Sequence, residues 1–550
     1  MYASGKSNPR GSLYSGLDFD LINRNRYGTL LVKTCNSYKN ADQEIRESIL
    51  IIETRWLKIQ RQLELLREIW PSLDEDYQSH QNTVLHVFQG KAQAAITILD
   101  GIVGKPSTDE LSVKNLMSKK GEARRAKYAV WVKDRLKSVL DDLKEWSEVF
   151  DVSWYLIIRL TNKEVDQQLK PVALRESDPL SILKDLRLAI NSTLTTSAEL
   201  EKVTVFLPPT FMTNARYTPL VFGPAASGIW IDTDGHTRYL VDQPSSISTL
   251  PDVCKLAKIL REVEPFEFGI LTCKGVMKAA KDPASTFKDD DSMMNPATAA
   301  FSSSFLFNIP PNLNKPQYLR ALLLSNTSKA QPYPLDERFS LARQLAKAVM
   351  FVHSAGFVHK NIRPETILIL EDNHSSDMWA FLTGFESFRF ADGNTIYQGD
   401  EEWEKNLYRH PSRQGIHPEE VYSMQHDIYS LGVCLLEIGI GSSLVLRDAK
   451  GGVPVPSASI VTETNSIVKD RRKKAFGMKR ALVNLAKEEL PSRMGRKYSE
   501  TVVTCLICLD KVDNDFGNES EFLDENGILV GVRFIEKVNH RVFGISRDIC

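Results

Sequence analysis

Apolar residues recur at helical spacing through the first third of the chain. Ile45, Ile49, Ile52, Trp56, Ile59, Leu63, Leu66 and Trp70 alternate steps of four and three, the seam of a helix packed on other helices. Pro71-Ser-Leu-Asp-Glu-Asp76 ends that helix, and Leu85, Phe88, Ala92, Ile96, Leu99 and Val103 mark the core face of a second. A third, long helix is predicted from about 119 to 160. A fourth opens at Ser177-Asp-Pro179, with proline in a favourable first-turn position and Leu180, Leu183, Leu186, Ile190 and Leu194 inward. Helices joined by short breaks predict an antiparallel all-α bundle over 29–205. Residues 1–28, rich in Ser, Gly, Asn and charge, predict a disordered N-terminus.

The pattern changes after Pro208-Pro209, which predicts a linker over 206–216. Gly228 to Asp242 reads as a hairpin turning at Asp234-Gly235. Strands are predicted at Phe268–Gly275 and Phe305–Ile309. Between the hairpin and the first of these, Asp252–Glu264 is a helix with Val253, Leu256, Leu260 and Val263 inward. The Ser/Ala/Asp-rich run 279–304 reads as a loop insertion. Leu341, Leu345, Ala348, Val349 and Val352 then give one face of a helix over Leu335–His353, ended by Gly356. The C-terminal part is therefore α+β.

The candidate chemistry lies just beyond that helix. Phe357-Val-His-Lys-Asn-Ile-Arg-Pro-Glu-Thr-Ile-Leu-Ile369 resembles the catalytic loop of the protein kinase fold, H-R-D-L-K-P-E-N followed by a strand. His359, Pro364 and Glu365 match, and Lys360, Ile362 and Arg363 are mild replacements. Asn361 stands where the family has its catalytic aspartate, and Thr366 where it has a metal-binding asparagine. A carboxylate can take the substrate hydroxyl proton; an amide oxygen accepts a hydrogen bond but has no useful basicity at pH 7. Gly384-Phe385-Glu386 falls at the family's D-F-G. Glycine offers no oxygen ligand to a hard cation, and Glu386 could replace the aspartate only with a different loop geometry. His426-Asp-Ile-Tyr-Ser-Leu-Gly-Val433 resembles the segment opening the large central helix, where Asp427 matches the aspartate that ties it to the catalytic loop. Leu407-Tyr-Arg-His-Pro411 resembles the end of an activation segment, with Ser412 replacing the glutamate of A-P-E.

The resemblance implies a two-lobed kinase-like domain over 217–545, with a reduced N-lobe over about 217–311 and a C-lobe over about 312–545. Gly223, Gly228 and Gly235 do not have the spacing of a G-x-G-x-x-G loop. Asp242 falls at the position of the phosphate-holding lysine, where an acid would repel ATP, and Glu262 at the glutamate of the helix that comes next. Shape-giving residues are present and phosphate-transferring ones are not, which implies a pseudokinase with no catalytic residue, no metal and no expected cofactor. ATP is the cofactor that the alternative, an unconventional serine/threonine-type kinase, would require. A helical bundle ahead of such a domain also resembles filamentous-fungal proteins with a HeLo-type (prion-inhibition and propagation) domain. That resemblance implies a signalling role in regulated cell death or incompatibility, with the bundle as effector or self-association module and other proteins as partners.

Composition adds bounds. Hydrophobic content of 42% and charged content of 25% are ordinary for soluble proteins. A net charge of -1 gives no general attraction to nucleic acid or membrane. Local charge is uneven: a basic run including Arg124, Arg125 and Lys127 precedes Asp141, Asp142, Glu145, Glu148 and Asp151. Two readings of the basic run stay open. It is a solvated helix face, or it meets anionic lipid headgroups at roughly 1 kcal/mol per cation. The acidic neighbours argue against a nucleic-acid stripe. Seven scattered cysteines form no disulfide framework and predict a reducing, cytoplasmic setting, with membrane recruitment in the second reading. Cys505-Leu-Ile-Cys508 has metal-like spacing, but its apolar helical context predicts buried thiols.

Overall fold

A computed structural model describes residues 43–73, 75–103, 137–138, 150, 157–158, 163–169, 179–191, 205–208, 210–211, 215–224, 227–232, 234–242, 250–278, 303–327, 333–390, 401–416, 418, 420–447, 452–461, 470–510 and 538. The expected N-terminal disorder over 1–28, the basic run with Arg124, Arg125 and Lys127, and the insertion as far as residue 302 lie outside them. So does most of the third helix. The chain divides by internal contacts into Met1–Lys184 and Asp185–Cys550.

In the first unit, α1 (Gln43–Ile69) and α2 (Glu75–Val103) are joined by a 3-10 turn, Trp70–Ser72. Pro71 lacks the N–H that would continue α1. Ile52, Trp56, Ile59, Leu63, Leu66 and Trp70 are buried along the seam, as are Leu85, Phe88 and Ala92 on α2. Trp56 stacks on Phe88 with centroids 5.9 Å apart. Gln78 Nε2 donates to the carbonyls of Trp70 and Leu73, at 2.8 and 3.0 Å, and closes the turn. A short α3, Lys163–Leu169, packs on α1. α4, Pro179–Asn191, begins on its proline, runs across the division at Lys184 and Asp185, and buries Leu183 and Leu186.

The second unit opens with an antiparallel five-stranded sheet. Its strands are β1 (Arg216–Pro219), β2 (Gly228–Ile231), β3 (Arg238–Asp242), β4 (Cys273–Lys278) and β5 (Ser303–Asn308), in the order β1-β2-β3-β5-β4. The β2–β3 turn carries Gly235 at φ +72°, and Asp234 accepts the His236 and Thr237 N–H groups. α5, Leu250–Arg261, packs on β4 with Val253, Leu256 and Leu260 buried. The strand expected from Phe268 starts five residues later, at Cys273. Glu264 caps a single helical turn, α6 (Pro265–Phe268), by accepting the Glu267 N–H, and Gly269 ends it at φ +65°. The stretch expected as a linker is partly bound to the sheet. Leu207 N–H donates to the Val276 carbonyl and Val276 N–H to the Val205 carbonyl, at 2.9 and 2.8 Å. Leu207 and Phe211 pack against Tyr239, Val241 and Leu306; apolar side chains flanking the prolines found a sheet edge.

The rest of this unit is mainly helical. β6 (Leu313–Tyr318) leads into α7 (Leu319–Thr327), and α8 (Leu335–Ser354) into the two-residue β7 (Phe357–Val358). β8 (Ile367–Asp372) and β9 (Met378–Leu382) join β6 in the order β6-β8-β9, while β7 pairs with β10 (Arg389–Phe390). α9 (Trp403–Asn406) precedes α10 (Met424–Ile440), of which every residue but Met424 is buried. α8, α11 (Arg471–Met494) and α12 (Arg496–Ile507) surround α10. A Cβ on Gly432 would lie 2.7 Å from Cys505 Cβ, so glycine sets the closest approach of α10 and α12. Cys505 and Cys508 are buried thiols in that contact. β11 (Val445–Leu446) and β12 (Val455–Pro456) form a separate ribbon. Among the described residues no helix is long and apolar enough to cross a membrane.

Candidate functional site

The loop between β7 and β8 is held from below by one carboxylate. Asp427, in the first turn of α10 and fully buried, accepts the N–H of His359 at 2.8 Å and of Lys360 at 2.9 Å. It also accepts the Tyr422 hydroxyl at 2.7 Å, and His353 Nε2 stands 3.3 Å away. Burial pushes its pKa up, but the His353 hydrogen bond and the neighbouring imidazoles and phenol outweigh burial and hold it below the usual carboxylate range. The anchor fixes Lys360 at φ +67°, a conformation that costs a non-glycine residue of order 1–3 kcal/mol. Burial pushes His359 down to about 4, against the pull of Asp427, so its ring is neutral at pH 7 and packs on Phe385 at 5.0 Å.

Above the anchor the loop is closed on itself. Arg363 Nε donates to Asn361 Oδ1 at 2.9 Å. The Thr366 hydroxyl lies 2.7 Å from the Asn361 carbonyl and 2.9 Å from that of Arg363, and it accepts the Arg363 N–H at 3.2 Å. Thr366 is fully buried, and its methyl faces Gly384. Gly384 has φ +81°, and a Cβ there would lie 2.4 Å from Thr366 Cγ2 and 2.8 Å from its Cβ. The volume that a side chain at 384 would need is occupied by threonine.

The turn at 384–385 is gripped from the sheet. Asp242, the last residue of β3 and 2% exposed, accepts the N–H of Gly384 at 2.7 Å and of Phe385 at 3.0 Å through Oδ2. Phe385 is buried between Phe307 at 6.0 Å and Phe357 at 6.2 Å. Glu386 belongs to the 3-10 turn Phe385–Ser387; its side chain lies outside the described residues. Glu262 sits just beyond α5, its carboxyl pushed up by burial and by Asp185, against Arg261.

Two residues that sequence reasoning missed complete the arrangement. Tyr318, at the end of β6, is buried, and its phenol is pushed up by burial and by the Asp242 charge, against hydrogen bonds with Ser227 and Thr383. A Cβ on Gly223 would lie 2.1 Å from the Tyr318 ring, so the backbone of the β1–β2 loop rests on it. Arg320, at the start of α7 and fully buried, donates to Glu365 at 2.9 Å and Glu437 at 3.0 Å, and also to Ser443 and Tyr408. Burial raises the Glu365 pKa, but Arg320 and then Arg363 reverse the direction and hold it low. Nothing in the local sequence marks either residue. The Arg320 partners lie 45 or more positions away, and Tyr318 is placed by the fold beside Asp242 and Gly223.

His410, Glu420 and His426 offer metal-ligand atoms within 4.8 Å of one another. Their bonding fits a hydrogen-bond relay better. His426 Nδ1 accepts the Ser423 N–H at 3.0 Å, which turns Nε2 toward Ser412 at 3.3 Å and Glu420 at 3.7 Å. His410 Nδ1 meets Ser412 Oγ at 2.8 Å, and Lys479 Nζ lies 3.2 Å from His410 Nε2. A divalent cation would have to displace Ser412 from between the rings and tolerate the ammonium. Burial, Lys479 and His426 push His410 down to about 3, and hydrogen bonding to His426 pulls Glu420 to about 2.

No protein-family model matches the chain. Part of it is 25% identical over 130 residues to a probable serine/threonine-protein kinase kinase of Dictyostelium discoideum, covering 24% of this chain and 28% of that protein. It is 27% identical over 117 residues to the eIF-2-alpha kinase GCN2 of Schizosaccharomyces pombe, covering 19% of this chain and 7% of the relative. A probable serine/threonine-protein kinase of Dictyostelium discoideum is 26% identical over 135 residues, covering 23% of this chain and 7% of the relative. The similarity is weak and spans a minor part of each relative's length. It supports a kinase-like domain in a mixed helix and sheet chain, and kinase-like signalling as its setting. It carries no sign of a HeLo-type domain.

Proposed function

We propose that the second unit is a two-lobed kinase-like module that signals by shape and binding and transfers no phosphate. The observation that carries this reading is the Asp242 carboxylate seated on the Gly384 and Phe385 N–H groups. In the kinase resemblance, 242 is the place of a phosphate-holding lysine and 384 that of a metal-holding aspartate. Here an anion and a glycine hold each other, and Thr366 fills the remaining space. A phosphate approaching an ionised Asp242 meets repulsion of about 4 kcal/mol per charge pair at 4 Å in a surface-like dielectric. Asn361 supplies an amide oxygen already bonded to Arg363. Tyr318 under the β1–β2 loop supports the same reading by taking up room beside Asp242.

The test is thermal denaturation of the full chain with ATP and Mg²⁺. A ligand at a hundred times its Kd adds about 2.7 kcal/mol, so an occupied nucleotide site raises Tm visibly. The expected result is no Mg²⁺-dependent shift, and no phosphotransfer above a blank with a generic protein substrate. A Mg²⁺-dependent rise would instead favour the unconventional kinase. The helical first unit is proposed as effector or self-association module, on the strength of the α1 seam and the resemblance in layout. Its role in cell death, and its fungal HeLo-type character, rest on that resemblance alone. Light scattering of residues 29–205 tests self-association; a strict monomer at high concentration would count against it.

A further inference from the structure

A cavity of about 640 Å³ lies away from the 357–369 loop, between the α9 region and the start of α11. That volume lies in the range of sites that take small ligands or anchor side chains. Trp403, Leu407 and Met478 supply apolar wall, and Ile416, 48% exposed, stands at its edge. Arg471, Arg472 and Lys474 also line it, against one carboxylate, Glu401, which pairs with Arg471 at 2.9 Å. The frame is tied down. Gln414 Nε2 donates to the carbonyls of Asn406 and Arg409 at 2.9 and 2.8 Å, and Arg472 lies over the Phe476 ring at 5.9 Å. Asp470 accepts the Arg472 and Lys473 N–H groups at 3.0 and 3.2 Å. The positive field offered to a ligand therefore comes from side chains, with those two helix-terminal donors already used.

We propose that this cavity docks a linear acidic peptide segment of a partner protein, with one large apolar side chain inside and carboxylates on the cationic rim. Charge complementarity selects the flanking residues, since three cations face a single carboxylate among the described lining residues. The aromatic and aliphatic wall selects the anchor. A nucleic-acid or lipid surface fits less well, because those partners are met by cations spread over a face, whereas these lie within one turn of α11 beside an apolar hollow. The inference does not rest on the kinase-like reading.

The probe is a fluorescein-labelled acidic peptide with one central phenylalanine, titrated into the full chain and read by anisotropy. Trp403 emission, with Trp403→Phe as control, reports occupancy of the wall. Binding is expected to weaken about tenfold or more in Arg471→Glu/Lys474→Glu, the equivalent of about 1.4 kcal/mol. It should be unchanged in Lys487→Glu, a reversal farther along the same helix, and it should weaken when the peptide phenylalanine becomes serine. Circular dichroism melts of both variants separate loss of binding from loss of fold. No binding of the peptide overturns the proposal. So does equal loss in both reversals, or insensitivity to the phenylalanine. Loss of phosphatidylserine-vesicle flotation in Arg471→Glu/Lys474→Glu, without peptide binding by the parent chain, assigns the patch to lipid and also overturns it.

Discussion

The contact between Gly384 and Thr366 can be tested by a double-mutant cycle. Gly384→Ala places a Cβ on a residue at φ +81°, 2.4 Å from Thr366 Cγ2. The left-handed conformation costs an alanine roughly 1–2 kcal/mol, and forcing a methyl into a filled site about 1–3 kcal/mol more. The sum is about 2–5 kcal/mol. Thr366→Ser keeps the hydroxyl that bridges the loop and deletes the clashing methyl. Alone it should cost about 1 kcal/mol for the lost buried group. Together the two changes should cost less than their sum by about 1 kcal/mol or more, because the overlap is relieved and only the backbone term and the 2.8 Å approach of Thr366 Cβ persist. The assay is the Tm of the full chain, on the transition that loses the second unit, where 1 kcal/mol moves Tm by roughly 1–2 °C. A Gly384→Ala protein that melts within a degree of the parent would refute the reasoning. So would a double mutant showing the plain sum of the single effects.

The buried charges give further expectations. Arg320→Met leaves Glu365 and Glu437 buried without their cation and should cost about 3–5 kcal/mol; thermal melts should show a large loss, partly restored by adding Glu365→Gln. His410 and His359 are pushed down to about 3 and about 4. An unfolded imidazole, with its usual pKa of about 6.5, therefore binds a proton that the folded chain excludes. Each contributes stability that is full above about pH 6.5 and is lost as pH falls toward its folded value, at up to about 1.4 kcal/mol per pH unit. His410→Gln should flatten the acid limb of a stability profile measured from about pH 7.5 to about 4.5, a window that spans the unfolded imidazole pKa. An unchanged slope would contradict the assignment. Flotation with anionic vesicles should weaken in Arg124→Glu/Arg125→Glu if the basic run meets lipid; no charge dependence would leave it a solvated face.

What the sequence made legible was local. Periodicity located α1, α2 and α8, because burying one face of a helix leaves a trace every three or four residues. The same trace is generic, so it says where helices lie and not how they are arranged as domains. The loop at 357–369 and the turn at 384–386 stood out because several unusual residues fall close together. Asp242 was picked out by its place at the end of a strand, but its carboxylate meets partners 142 and 143 positions further on, a pairing that no spacing rule contains. Tyr318 and Arg320 were invisible for the same reason. A buried tyrosine or arginine has meaning only once its partners are in place. The misplaced start of β4 has a different cause: Glu264 as a cap diverts residues of strand-like composition into one helical turn.

The interlock of Asp242, Gly384 and Thr366 also restricts which neighbouring sequences evolution can visit. A carboxylate at 384 collides with the threonine methyl and stands close to a second negative group. A lysine at 242 abandons two amide protons in a dry interior. A smaller residue at 366 opens a hole before anything fills it. Each single step costs folding stability, so substitutions at this trio are cheaper in combination than one at a time.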